Sequence, residues 1–128
     1  MSFAFKFMAR AALVMSAAPA AAQSMPLPTF LTKADALKKK GPLALFSGDL
    51  KLLKKEMQES AKLLRAERLA AAKAGKKPAY CPPEKAGGLD AEEVLSHFRG
   101  IPAAQRATMS TKDGFRSLMV RKYPCKAS

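Results

Sequence analysis

The stretch from Asp90 to His97 carries the side chains that could do acid–base chemistry. Asp90, Glu92 and Glu93 could supply the pair of carboxylates that a glycosidase needs. His97 is the only histidine, and Glu93, four residues earlier, would share its helix face. Ser96 cannot complete a triad with His97, because neighbours on a helix point about 100° apart. The carboxylates are explained by a helix N-terminus, so we predict no enzyme and keep a hydrolase only as a third hypothesis.

Metal, cofactor and phosphate sites lack the residues that they require. A zinc site takes three or four His, Cys, Asp or Glu ligands, whereas this sequence offers one histidine and no cluster around it. Gly87–Gly88 is an isolated pair in a turn, which is too little for a glycine-rich phosphate loop. We therefore predict no catalytic residue, no metal site and no cofactor.

The two cysteines, Cys81 and Cys125, lie 44 residues apart, and in an exported chain they would be joined. Closing such a loop stabilises a small domain by about 4 kcal/mol in the chain-entropy model. A redox-active pair is the alternative, but the Cys-x-x-Cys spacing is missing and nothing nearby indicates a lowered thiol pKa. We predict a structural Cys81–Cys125 disulfide.

Export is indicated by the first residues of the chain. Lys6 and Arg10 precede an apolar run without any acid, and small residues follow up to Ala22. This is the layout of a signal peptide, and the run is shorter than the roughly 20 apolar residues of a membrane span. We predict a signal peptide over residues 1–22, with cleavage after Ala22 and a periplasmic or secreted product. A buried N-terminal helix in a cytosolic protein is the alternative.

Residues 23–128 are predicted to form one all-α domain, a small bundle of about four helices. Candidate caps and Gly-Pro breaks give the boundaries, with Thr29, Ser47, Asp90 and Ser110 as the capping residues. The predicted elements are a helix over 29–40, a long basic helix over 47–74, a loop over 76–88 and a hairpin of two helices over 90–125. The disulfide would close this hairpin, whose apolar faces are small.

The long helix separates its residues by type when it is drawn at 100° per residue. One face is apolar and consists of Leu50, Leu53, Met57, Ala61 and Leu64. It ends after Leu64, because Arg68 takes the next inward position. Cations gather away from it, and the candidate anion-binding or partner-binding residues are Lys51, Lys54, Lys55, Lys62, Arg65 and Lys73, with Lys76 just beyond. Such a cluster repels itself unless an anion is near. An ordinary solvated face is the alternative.

Charge narrows the choice of partner. The sequence has 23 Lys and Arg against ten Asp and Glu, of which residues 1–22 hold only two cations. A strongly positive protein favours anionic partners, which for an exported chain are acidic proteins or an anionic envelope surface. Nucleic acid is not expected, because the aromatic and strand signatures of RNA-binding modules are missing. Whether the chain forms a homodimer is left open.

The cysteine-bracketed half has a familiar layout. A Cys-Pro at Cys81 precedes an amphipathic helix, a Pro-x-x-x-Arg turn from Pro102 to Arg106, a helix capped by Ser110, and the ending Tyr-Pro-Cys. Over residues 80–125 this resembles the exported Rap/Tai-like proteins. That resemblance implies an all-helical immunity protein that neutralises a peptidoglycan amidase delivered by type VI secretion. Residues 33–56 look similar to exported alphaproteobacterial proteins of unassigned function.

These observations favour a non-catalytic, exported, protein-binding protein, and the resemblance adds an immunity-type inhibitor of a cell-wall amidase effector. The alternative is a basic envelope-associated protein that binds anionic lipid, lipopolysaccharide or polymer through the long helix. The two differ in whether the ligand is one stoichiometric protein or a charged surface.

Overall fold

The protein is an all-α bundle tied by one disulfide, as predicted. The computed structural model describes residues 24–126, so the predicted signal peptide over 1–22 and its cleavage point lie outside the described residues. The described part contains five α-helices and a six-residue 3-10 turn over Gly41–Phe46; the helices are α1 (Leu27–Lys40), α2 (Gly48–Lys73), α3 (Ala91–Gly100), α4 (Ala103–Arg106) and α5 (Thr111–Lys122). Helix α4 is one short turn in the segment expected to be a Pro-x-x-x-Arg turn.

Helix α1 begins two residues before the predicted start. Thr29 does not cap it; the helix follows Pro26, and its first residue, Leu27, donates its N–H to the Met109 carbonyl at 2.9 Å. The Thr111 N–H in turn donates to the carbonyl of Met25 at 2.7 Å. The Met109 carbonyl therefore accepts from a free N–H at the start of α1, a role that a capping side chain would otherwise have.

The other helix ends follow local sequence signals more closely. The Ser47 Oγ accepts from the N–H of Asp49 at 3.3 Å, so α2 begins where it was predicted. Ser110 and Asp113 form a capping box, with bonds of 3.1 and 3.2 Å in its two directions. Asp90 stands at the N-terminus of α3, but its side chain makes no capping bond.

The core is built around three aromatic rings. Phe98 is fully buried and meets Phe30 and Phe115 edge-to-face, with centroid distances of 5.7 and 5.3 Å. These rings come from three different helices, α1, α3 and α5, and α5 also packs along α2. The predicted helical hairpin is consequently not an independent unit, because α3 and α5 share one core with α1 and α2.

The buried face of α2 is rotated slightly from the predicted one. Leu53 and Leu64 are buried as expected, but Ala61 is exposed and Ser60 is buried in its place. The packing of α5 along α2 accounts for the rotation, since it covers the side of α2 that carries Ser60 and Glu67. The cationic side of α2 is left in solvent.

Candidate anion-binding surface

The disulfide joins the loop before α3 to the residues after α5. Cys81 and Cys125 are bonded with their Cα atoms 4.9 Å apart, and the Cys81 N–H donates to the carbonyl of Tyr123 at 2.8 Å. Tyr80 beside the bridge is buried. Both thiols are consumed, so no free cysteine is left for chemistry.

The six predicted cations form the basic stripe, which we define as Lys51, Lys54, Lys55, Lys62, Arg65 and Lys73. All six are exposed. At 100° per residue they fall within an arc of about 100° whose centre lies opposite the buried face of α2. The stripe extends about 33 Å from Lys51 to Lys73 at 1.5 Å per residue. None of its members forms an ion pair with another described residue.

Three of the four acids of α2 are bonded to other segments of the fold. The Glu56 carboxylate accepts from Ser24 Oγ at 2.7 Å and from the N–H of Met25 at 2.6 Å. Asp49, at the start of α2, pairs with Lys33 of α1 at 3.1 Å. Because these carboxylates face the neighbouring segments, they do not lie among the cations of the stripe.

Glu67 is the most extensively paired acid of α2, although its side chain is 44% exposed. Arg116 of α5 reaches both of its carboxylate oxygens, at 2.8 and 2.7 Å, and Lys112 lies at 3.1 Å. The hydrogen bond from Arg116 is the main cause that lowers the pKa of Glu67. Glu59 alone of the acids on α2 is exposed without such a partner among the described residues.

Two cations outside α2 pair with acids of a different helix. Arg99 pairs with Asp35 at 2.7 Å, and Lys122 pairs with Glu93 at 2.9 Å. Both pairs join different helices, so they close the bundle at its surface. Helix α2 itself carries seven Lys and Arg against four Asp and Glu, so the basic stripe is one alignment of cations within a positive charge that extends over the whole described chain.

One end of the stripe borders a groove of about 690 Å³. Its floor includes Leu64, Phe115 and Met119, and Arg65 stands on its rim. Arg68, which the helical wheel predicted to point inward, is half-buried there and holds its guanidinium 5.6 Å from the centre of the Tyr80 ring. This contact explains how a cation is accommodated at an inward position of α2.

The candidate acid–base residues are not arranged as a catalytic triad. His97 Nε2 lies 2.7 Å from Ser117 Oγ, a partner on α5 that the sequence did not indicate. The Ser117 hydroxyl also lies 2.9 Å from the Gly114 carbonyl, and the tautomer of His97 determines which of the two side chains donates in their contact. Glu93 is engaged by Lys122, and the buried Nδ1 of His97 has no hydrogen-bond partner.

The environment of His97 also opposes its protonation. Burial, with a smaller contribution from the charge of Arg121, lowers the pKa of its imidazole. The acids predicted for a hydrolase are not brought together either, because Asp90 and Glu92 are exposed at the start of α3 while Glu93 turns to α5. The contacts of these residues are those of a packed helical surface.

Across residues 24–126, no three His, Cys, Asp or Glu side chains converge so as to hold a metal ion. Over the same residues, no helix has both the length and the apolar character that a bilayer crossing needs.

Comparison with known proteins yields no relative. The chain matches no protein-family model, and neither a curated protein nor a solved structure shows significant similarity to it. The likeness of residues 80–125 to Rap/Tai-like proteins therefore rests on the motif residues alone.

Proposed function

We propose that this is a non-catalytic, exported binding protein whose basic stripe on α2 contacts an acidic surface of a partner protein. The observation that carries the proposal is the division of charge on α2, in which Glu56 and Glu67 are bonded to other segments of the fold while all six stripe cations are exposed and unpaired among the described residues. The self-repulsion of such a row favours an anion opposite it.

The dimensions of the stripe suit a protein partner. A row of about 33 Å matches the width of a standard interface, which buries roughly 800 Å² on each side. Complementary charge accelerates the encounter of two proteins and fixes their orientation. The layout of residues 80–125 makes an amidase effector of the cell wall the first partner to test, with the protein acting as an immunity-type inhibitor. The disulfide is compatible with the oxidising compartment in which that encounter would occur.

The test is affinity capture from envelope extracts with the wild-type protein and with a Lys62→Gln/Arg65→Gln variant. We expect one stoichiometric partner, lost or weakened at least tenfold in the variant, because two charge pairs at the centre of the contact are removed. The matched control is Lys85→Gln/Lys126→Gln, which removes the same charge from exposed positions outside α2. Recovery of no partner at physiological salt, or equal loss in both variants, contradicts the proposal.

A second candidate function is attachment to anionic lipid, lipopolysaccharide or polymer through the same helix. The placement of every stripe cation on one straight face favours it, since a flat charged surface needs no shaped pocket. Binding to anionic vesicles should then fall steeply as salt rises. Vesicle binding that is unchanged after replacement of Lys51, Lys55, Lys62 and Arg65 by glutamine rules this candidate out.

A further inference from the structure

The turn between α1 and α2 exposes three large apolar side chains in succession. Leu43 is 71% exposed, Leu45 73% and Phe46 89%. They belong to the hairpin tip, which we define as residues 41–46. Only Ala44 of these residues packs against the core. The sequence indicated an apolar connector here, but it did not indicate that the connector leaves its side chains in solvent.

The backbone of the hairpin tip is held in a defined conformation. Gly41 has a φ of 57°, a conformation that glycine adopts without strain and that lets the chain leave α1 sharply. The Ser47 N–H donates to the Ala44 carbonyl at 3.0 Å, and Lys40 Nζ contacts Ser47 Oγ at 3.3 Å. The apolar side chains are therefore displayed on an ordered turn, which reduces the entropy lost when they are buried on a ligand.

Six lysines flank the tip along the chain, three at the end of α1 and three in the first turns of α2. All are exposed, and none forms an ion pair with another described residue; they are Lys38, Lys39, Lys40, Lys51, Lys54 and Lys55. The nearest acid in sequence, Asp49, is engaged by Lys33. The exposed apolar turn is therefore flanked on both sides of the chain by uncompensated positive charge.

This combination fits a lipid surface better than a protein. Three side chains provide far less than the roughly 800 Å² that each partner of a stable protein interface buries. A bilayer needs less, because a few apolar side chains at the headgroup boundary combine with about 1 kcal/mol from each lysine near anionic lipid. We propose that the hairpin tip inserts into the interface of an anionic phospholipid bilayer, with Leu43, Leu45 and Phe46 below the headgroups and the lysines among the phosphates.

The chain contains no tryptophan, so a Phe46→Trp variant of the protein carries a single fluorescent reporter at the tip. Its emission should shift to the blue on vesicles of phosphatidylglycerol and phosphatidylethanolamine, and brominated acyl chains should quench it. The control is Leu69→Trp, whose position on α2 is 56% exposed and distant from the tip in sequence; it should show neither effect. Phosphatidylcholine vesicles should give no shift with either variant.

Loss of the apolar side chains measures their contribution directly. In the wild-type background, Leu45→Ser/Phe46→Ser should weaken partitioning into anionic vesicles at least tenfold, because each side chain loses apolar area that the headgroup region would bury. Leu69→Ser should partition like the wild type. Equal circular dichroism spectra and melting temperatures show that the serine variants are folded, as expected for exposed positions.

Several outcomes overturn the proposal. Equal blue shifts of Phe46→Trp and Leu69→Trp would show that the tip is not the inserted element. A blue shift that requires lipopolysaccharide in the vesicle would exclude a phospholipid bilayer as the ligand. A blue shift that grows with protein concentration without lipid would make the tip a contact between two copies. The result is independent of the proposed function, because Lys62→Gln/Arg65→Gln should abolish capture of an acidic protein while the tip reporter still inserts.

Discussion

Replacing Gly114 by alanine sets two effects of opposite sign against each other. Gly114 lies within α5, where alanine favours the helix by about 1 kcal/mol over glycine. It is also buried, and an added methyl group would stand 2.9 Å from Phe98 Cε1 and 3.2 Å from Leu27 Cδ2. Real Cβ contacts are longer than the first of these distances, so the neighbouring side chains would have to move.

The neighbours of Gly114 have little room to move. Phe98 and Leu27 are both fully buried, and Phe98 is held between the rings of Phe30 and Phe115. Adding a methyl group to a closely packed core costs about 1–3 kcal/mol. Because both neighbours are fully buried, we expect the upper part of that range, about 2–3 kcal/mol, against a gain of about 1 kcal/mol in helix propensity. We expect Gly114→Ala to lower the free energy of unfolding by about 1–2 kcal/mol, and the melting temperature by at least about 4 °C for a domain of this size.

Urea unfolding followed by circular dichroism measures this change, and Gly48 supplies the control. Gly48 begins α2, and no atom lies within 4 Å of where its Cβ would stand. Gly48→Ala should leave stability unchanged or raise it by up to about 1 kcal/mol. If Gly114→Ala is as stable as the wild type, the result contradicts our claim that α5 packs too closely against the Phe98 ring to admit a methyl group.

Three further predictions concern the disulfide and two titrating groups. Cys81→Ser/Cys125→Ser should lose about 4 kcal/mol of unfolding free energy in urea, because the 44-residue loop is no longer closed in the unfolded chain; a loss below about 1 kcal/mol contradicts this. Glu67→Gln should cost about 1 kcal/mol near pH 7, since Arg116 loses one of its two carboxylate partners and keeps Asp113. The pKa of Glu67 is lowered in the fold, so this contribution is present above the unfolded pKa and is lost as pH falls through the lowered folded pKa; a cost that does not change with pH across the acid range argues against the ion pair. The pKa of His97 is lowered by burial, so its imidazole NMR signal should titrate below about pH 6.5. Because the unfolded chain then binds the proton more readily, stability should decline as pH falls through that range. A measured pKa above about 6.5 contradicts the buried environment.

The helical elements were largely predictable from the sequence because their signals are local. Ser47 and Ser110 cap helices where the pattern placed caps, and the 3.6-residue period separated the basic stripe from the buried Leu53 and Leu64. The disulfide followed from cysteine count and expected compartment, since two cysteines allow one pairing. The helical wheel also predicted the inward position of Arg68, but it did not predict the contact of Arg68 with the Tyr80 ring.

Long-range contacts decided the features that local sequence signals did not predict. The start of α1 is set by Met109 and Thr111, about 80 residues away in the chain, and no property of Thr29 reveals that. Ser117 is the partner of His97 only because α5 crosses α3. Periodicity tells which residues share a face of one helix, but it carries no information about what another helix places opposite them.

The sequence by itself determined a row of cations on one face of a long helix, because charge and spacing are local properties. Only the tertiary structure decided that the row is uncompensated, because the partners of the acids come from other segments: Ser24 for Glu56, Lys33 for Asp49 and Arg116 for Glu67. The same holds for the apolar turn, whose exposure of Phe46 depends on what the bundle leaves uncovered.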